Sequence, residues 1–383
     1  MNFAPTTLVP SVADDMGGSP MQSPRACATM ITDDIKTRAK CEQDLAAARI
    51  PLPLPHTLAW ASAFPTHANH FLALRDDRDT CIGGFALHIH KSRALPGHLL
   101  LRAERVGPSI APEYFGQAAE RLVRLCRENS RILRLNVELF GRDEQARAAM
   151  AQALAAAGFT KVEPMKNYPF TIALDLAPSE DQILASLHGT ARRHIRAIAK
   201  HPLELRAITD VALCERLTQL TSETQSRTGG DYTQPHWPSA IKLSVDHPTR
   251  SRLIGIFRTD ATGPQSLLAF AWSHHHGDHA HYDASASTRD TDIKAPLAYA
   301  LIWDLCLWAR QNGATWFDFG GITQTSHSSG DGDALGGISD FKRYFSKTVV
   351  SVGEEWMLEP RPLRAKLARS VSRAISYVSG LRS

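Results

Sequence analysis

The stretch from Ala280 to Trp356 constrains the fold most. It opens with the alternating run His281-Tyr282-Asp283-Ala284-Ser285-Ala286 and continues as a helical pattern from Pro296 to Gln311. It turns at Asn312-Gly313 and enters Thr315-Trp316-Phe317-Asp318-Phe319-Gly320-Gly321. A strand, a helix and a second strand in this order form a βαβ unit, which buries its apolar face only against a larger sheet. After a Ser/Gly/Asp-rich loop the stretch reaches Gly337-Ile338-Ser339-Asp340-Phe341-Lys342-Arg343-Tyr344-Phe345, read as the strand that completes the unit. This unit is the expected place of chemistry.

The rest of the chain supplies that sheet. Strand patterns at His70–Leu74 and Ile82–His90 flank the polar turn 75–79, and Leu99–Leu101 and Arg105–Pro108 continue them. Tyr114–Glu128 has helical apolar spacing, Leu133–Val137 alternates, Glu144–Ala157 is an alanine-rich helix stopped by Gly158, and Phe170–Leu174 is a strand. The second half begins with helices at Glu180–Lys200 and Ala212–Arg227, followed by strands at Leu253–Phe257 and Leu267–Trp272. The two halves repeat one succession of elements, which predicts an internal duplication. At 383 residues, two domains are expected. The predicted divisions are a disordered or weakly helical leader over 1–50, a first domain over 51–176, a second carrying the chemistry over 177–358, and a basic amphipathic helix over 359–383.

Composition narrows the function classes. With 43% hydrophobic and 21% charged residues the chain is globular, and no apolar run approaches the ~18 residues a membrane span needs. The start lacks the pattern of a signal peptide, so a cytosolic protein is expected. Six scattered cysteines, with no CxxC, suggest buried small side chains rather than redox or metal chemistry. Five histidines, His274, His275, His276, His279 and His281, surround a turn at Gly277-Asp278. Neighbouring strand residues point to opposite faces, so the histidines are not expected to converge on a metal. No metal or bound cofactor is predicted.

The net charge of +4 is uneven, because the tail beyond Glu359 carries six cations and no acid. Leu363, Leu367, Val371, Ile375 and Val378 recur there at helical spacing. That helix is expected to pack on the body, and it also suits RNA or an anionic membrane surface. A second basic cluster, Arg192, Arg193, Arg196 and Lys200, lies on one helix face and suits tRNA or a polyphosphate.

The ordered succession of motifs over about residues 55–358 resembles the FemABX family. The matching segments are Arg105-Val106-Gly107-Pro108, Gly158-Phe159, the strand Thr171–Leu176 followed by Ser179–Ile183, Arg192–Lys200, Thr224-Gln225-Ser226-Arg227, Asp318-Phe319-Gly320-Gly321 and Gly337–Lys342. The resemblance implies an α/β (α+β) fold of two tandem GNAT-like domains, each a mixed, mainly antiparallel sheet flanked by helices. It also implies transfer of an amino acid from aminoacyl-tRNA to an amino group of a peptidoglycan-precursor-like acceptor. One branch of related acetyltransferase-like proteins shares the second domain with other donors. An acyl-CoA or acyl-carrier thioester donor, and a non-enzymatic RNA- or membrane-associated role, therefore stay open as alternatives.

The family positions fall on named residues. Lys342, with Phe341 beside it, matches the position linked to donor binding and stabilisation of the tetrahedral intermediate, where a fixed positive charge is effective. Arg227 and Thr224 match the contact to acceptor phosphates, for which the guanidinium fork is suited. Tyr282 is expected to line the same cleft. Asp318 is either a substrate contact or general base, or the anchor of its strand end and glycine turn. Acetyl-CoA-dependent GNAT enzymes hold the pyrophosphate on a glycine-rich loop, and the corresponding Arg289–Ala295 has no glycine and two acids. This disfavours CoA as the donor, leaving aminoacyl-tRNA as the expected co-substrate.

Overall fold

The computed structural model describes residues 28–64, 68–165, 167–228, 233–289, 292–322 and 336–380. The first half contains β1 (Ala28–Thr32), α1 (Ile35–Ala47), α2 (Leu58–Ala63), β2 (Ala68–Arg75), β3 (Cys81–Lys91), β4 (Leu99–Val106), α3 (Pro112–Glu128), β5 (Ile132–Phe140), α4 (Glu144–Ala156) and β6 (Thr160–Lys161). Then come β7 (Phe170–Asp175), α5 (Glu180–Ser186), α6 (Gly189–Ala197), β8 (Leu203–Ala207), α7 (Cys214–Thr228), α8 (Trp237–Asp246), β9 (Ser251–Arg258), β10 (Leu267–His275), β11 (His279–Ser287) and α9 (Ala298–Gln311). The chain closes with β12 (Trp316–Gly321), α10 (Gly336–Arg343), β13 (Val349–Ser351), β14 (Gly353–Leu358) and α11 (Pro362–Gly380).

These elements build two seven-stranded sheets, ordered β1-β2-β3-β4-β5-β14-β6 and β8-β9-β10-β11-β12-β7-β13. Each runs through antiparallel neighbours, makes one parallel step, β4 to β5 or β11 to β12, and then accepts an antiparallel strand. The two mixed, mainly antiparallel sheets with flanking helices are the expected α/β architecture.

Each sheet is completed by a strand from beyond its own half. β7, which the sequence reading gave to the first domain, pairs with β12 of the second sheet, and β14, read as part of the second, pairs with β5 of the first. A period of two identifies a strand but not its neighbour, so the exchange is invisible in the sequence pattern. The chain passes to the second sheet between β6 and β7 and returns to the first at one residue, Val352, which is fully buried. Its N–H donates to Pro169 O at 2.9 Å and its carbonyl accepts from Gly141 N at 3.0 Å. Phe140, Ala173, Trp316 and Val352 pack together at this crossing.

Residues 28–50, read as leader, are structured. Asp34 caps α1 through Thr37 N at 2.7 Å, and Cys41 and Leu45 are buried against Phe71 and Ala86. Residues 1–27 of that reading lie outside the described residues. In the second half β10 is buried along its whole length, because α9 covers one face of the sheet and α7 the other. A strand covered on both sides loses the apolar-polar alternation and reads as a continuous run.

Candidate active site

The parallel ladder between β11 and β12 pairs His279, Ala280 and His281 with Trp316, Phe317 and Asp318, and stops there. In the first sheet the corresponding β4–β5 ladder continues from Leu99 opposite Ile132 to Val106 opposite Leu139. Parallel strands that cease to pair diverge, and a cavity of ≈ 810 Å³ opens between β11 and the Gly320-Gly321 end of β12. Its size suits a substrate site.

Lys342 lines this cavity. It lies in the last turn of α10, not on a strand as the sequence reading had it, and is 6% exposed. Nζ donates to Gly321 O at 2.6 Å. Burial pushes its pKa down to about 8, with Asp318 acting in the opposite direction. Beside it, Phe341 meets Tyr299 edge-on at 4.9 Å, and Phe345 lies 5.3 Å from Phe319. Phe341 itself lines the cavity.

Asp318 is completely buried and is not among the cavity-lining residues. Oδ1 accepts from Gly320 N at 2.8 Å and lies 2.5 Å from the Thr171 hydroxyl of β7. Oδ2 lies 3.0 Å from Tyr168 OH, 3.1 Å from His281 Nδ1 and 3.5 Å from an Arg105 nitrogen. Burial opposes its charge, but His281 and Arg105 outweigh burial and hold the carboxyl below the usual range. Direct substrate contact is therefore corrected: both oxygens are occupied, and Asp318 anchors the strand end. Gly320 turns there with φ 74°, a conformation open to glycine.

The rim carries the remaining expectations. Thr224, Arg227 and Tyr282 all line the cavity. The Thr224 hydroxyl accepts from Ser287 N at 3.2 Å, and Arg227 donates to Ser287 O and Thr224 Oγ1, both at 3.3 Å, which holds its guanidinium at the mouth. Tyr282 OH hydrogen-bonds Ser285. Arg192, Arg193, Arg196 and Lys200 do not line the cavity; they occupy α6 and the 3-10 turn Ile198–Lys200. Arg192 is committed to Ala185 O at 2.5 Å, whereas Arg193, Arg196 and Lys200 are exposed. α6 packs on α9, where His194 meets Tyr299 at 5.0 Å. The cluster thus lies beside a smaller adjoining cavity that contains Tyr299, Lys294 and Arg289.

The histidines differ from expectation. His275 faces Trp308, but the rings of His274, His276, His279 and His281 gather on the opposite face, with His276 stacked on His279 at 4.9 Å. The two-residue period brings His274 and His276 to one side, and the turn returns the chain to it. No group of metal-ligating side chains is found among the described residues. The cluster instead receives Arg105, which donates to His279 Nε2 at 2.9 Å and to Tyr168 OH at 3.2 Å, over the Phe140 ring at 4.1 Å. Arg105, Tyr168 and His281 had no predicted role. A signal existed for His281: a βαβ unit makes its two strands parallel neighbours, which places it beside Asp318.

Residues 185–343 match the family model described as an acetyltransferase (GNAT) domain, in keeping with the fold of the second sheet and its helices. No curated protein sequence matches the chain. Among solved structures, FemX is 14% identical with a TM-score of 0.69, covering 89% of this chain and 100% of its own. L-PGS from Bacillus licheniformis is 12% identical with a TM-score of 0.51, covering 90% and 97%. The C-terminal domain of a putative lysylphosphatidylglycerol synthetase from Agrobacterium fabrum is 12% identical with a TM-score of 0.50, covering 88% and 97%. The chain has the tandem GNAT fold that its resemblance to the FemABX family implied.

Proposed function

We propose that this protein is an aminoacyltransferase of FemABX type, moving an aminoacyl group from aminoacyl-tRNA to an amine on an anionic acceptor such as a peptidoglycan precursor. The observation that carries the reading is Lys342, a buried cation lining a cavity formed where β11 and β12 part. Attack of an amine on an ester creates an oxyanion, and a preorganised cation in a poorly solvated place stabilises that charge. Arg227 at the mouth is placed to meet a phosphate of the acceptor. Arg193, Arg196 and Lys200 offer an exposed basic surface for the tRNA. No covalent enzyme intermediate is needed, since the acceptor amine is the nucleophile.

An acyl thioester donor is the second reading, favoured by the match to an acetyltransferase domain. Against CoA, the loop that would receive its pyrophosphate carries Asp292, which is engaged by Arg258 at 2.5 Å. The deciding experiment incubates the purified protein with amine acceptors and either charged tRNA or acyl-CoA. Transfer from charged tRNA, lost in Lys342→Ala by about 10²- to 10³-fold or more, is expected. Transfer from acyl-CoA alone, or full activity of Lys342→Ala, overturns the proposal. Neither reading calls for a metal. No helix among the described residues is long and apolar enough to cross a membrane. We place the protein in the cytosol, with α11 as the element able to touch an anionic membrane surface.

A further inference from the structure

Lys342 accounts for charge on the acyl oxygen but leaves unassigned the proton that the attacking amine must lose. His281 lies at the same end of the cavity. If Gly320 carried a Cβ, that atom would lie 3.4 Å from His281 Cε1 and 3.7 Å from Lys342 Nζ, so the two side chains flank one point of the cavity wall. His281 Nδ1 is 3.1 Å from Asp318 Oδ2. An ionised carboxylate only accepts, so the proton of the neutral ring sits on Nδ1 and Nε2 keeps its lone pair. Nε2 is on the side of Asp283, 4.0 Å away, and Asp283 belongs to the cavity wall.

We infer that His281 is the general base of the transfer, and that Asp318, Tyr168 and Arg105 are the positioning residues that hold its ring and tautomer. The inference rests on the acyltransferase reading given above. The nitrogen lone pair of a neutral acceptor amine forms the C–N bond, and the carbonyl electron pair moves to oxygen beside Lys342. The N–H proton passes to His281 Nε2, giving an imidazolium between the Asp318 and Asp283 carboxylates. As the oxyanion collapses and the bond to the leaving oxygen or sulfur breaks, that proton goes to the departing atom and His281 returns to its starting state.

Charged and titratable groups face His281 from every side: Asp318 on β12, Tyr168 before β7, Arg105 on β4, His276 in the turn, Asp283 on β11 and Lys342 on α10. Burial and Arg105 lower its pKa, while Asp318 acts to raise it, so the ring is neutral at pH 7. The Arg105 guanidinium, which only donates, is held off His281 by its own bonds to His279 and Tyr168.

The test uses the full chain. His281→Asn offers Asp318 an amide N–H near the place of Nδ1 but has no base. It is expected to melt like the parent, lose 10²- to 10⁴-fold in kcat with little change in donor KM, and lose the acidic limb of the pH profile. His281→Ala is expected to regain rate with added imidazole. If either variant keeps the parental kcat and acidic limb, the inference is overturned while the acyltransferase reading stands. If the parent transfers nothing from any donor, that reading falls, and nitrogen-15 spectra of His281 still decide the geometry. A neutral ring with the proton on Nδ1 at pH 7 is expected, and an Nε2–H tautomer or an imidazolium refutes the assignment.

Discussion

Lys342 and Asp318 show how differently two charges can be buried. Asp318 is met by Gly320 N–H, the Thr171 and Tyr168 hydroxyls, His281 and Arg105, so its charge is compensated on all sides. Removing it in Asp318→Ala leaves Arg105 without that partner, and a loss of about 3–5 kcal/mol in denaturant unfolding is expected. Lys342 has one carbonyl and a distant carboxylate, so its burial is a cost to the fold. Lys342→Met should therefore melt at or above the parental temperature while transfer disappears. The folded-state pKa of Lys342 is lowered from 10.5 to about 8, so between those values the unfolded chain binds more protons and stability rises with pH. Activity should move the other way, with kcat falling as pH rises through about 8. The resemblance identified Lys342, but its burial and helical placement depend on β11, β12 and α10 meeting, which no local pattern records. His281 was legible as a strand residue and illegible as a base, because its meaning comes from Asp318, 37 positions away.

At the scale of elements the sequence reading identifies most strands and helices of the two sheets, since their periodicity is strong. It places no element at β1, α1, α2, β6, β8, α8, β13 or β14 and takes α10 for a strand, because these are short or their burial is supplied by distant partners. The end of β12 depends on closely fitted backbone. A Cβ at Gly321 would lie 2.7 Å from Tyr168 Cβ and 2.9 Å from its Cγ. Gly321→Ala must displace the Tyr168 side chain from Asp318 or shift the Gly321 carbonyl that Lys342 meets. We expect a fall in kcat of at least tenfold with a melting temperature lowered by several degrees, measured side by side on the same preparation. Phe319, in the same strand, is buried against Phe317 and Phe345 and also borders the cavity. Phe319→Ala should cost about 3–5 kcal/mol in denaturant unfolding.

At the scale of the whole molecule the two sheets are completed reciprocally, β7 entering the second and β14 the first. A chain ending at Ser351 would retain the sequence of the first half, residues 51–165, yet leave β5 and β6 without the strand between them. That truncation is expected to aggregate or melt far below the parent, and the intact chain to unfold in one transition by fluorescence and circular dichroism. Two separate transitions would contradict it. The duplication was legible in the repeated order of elements, and the exchange was not, because strand partners are chosen by topology. The passage through Val352 has a further consequence. A polypeptide laced twice between its halves has no hinge, and swinging them apart would shear two β-ladders together. The two halves are therefore riveted, and a substrate would have to fit a gauge already cut rather than be closed upon.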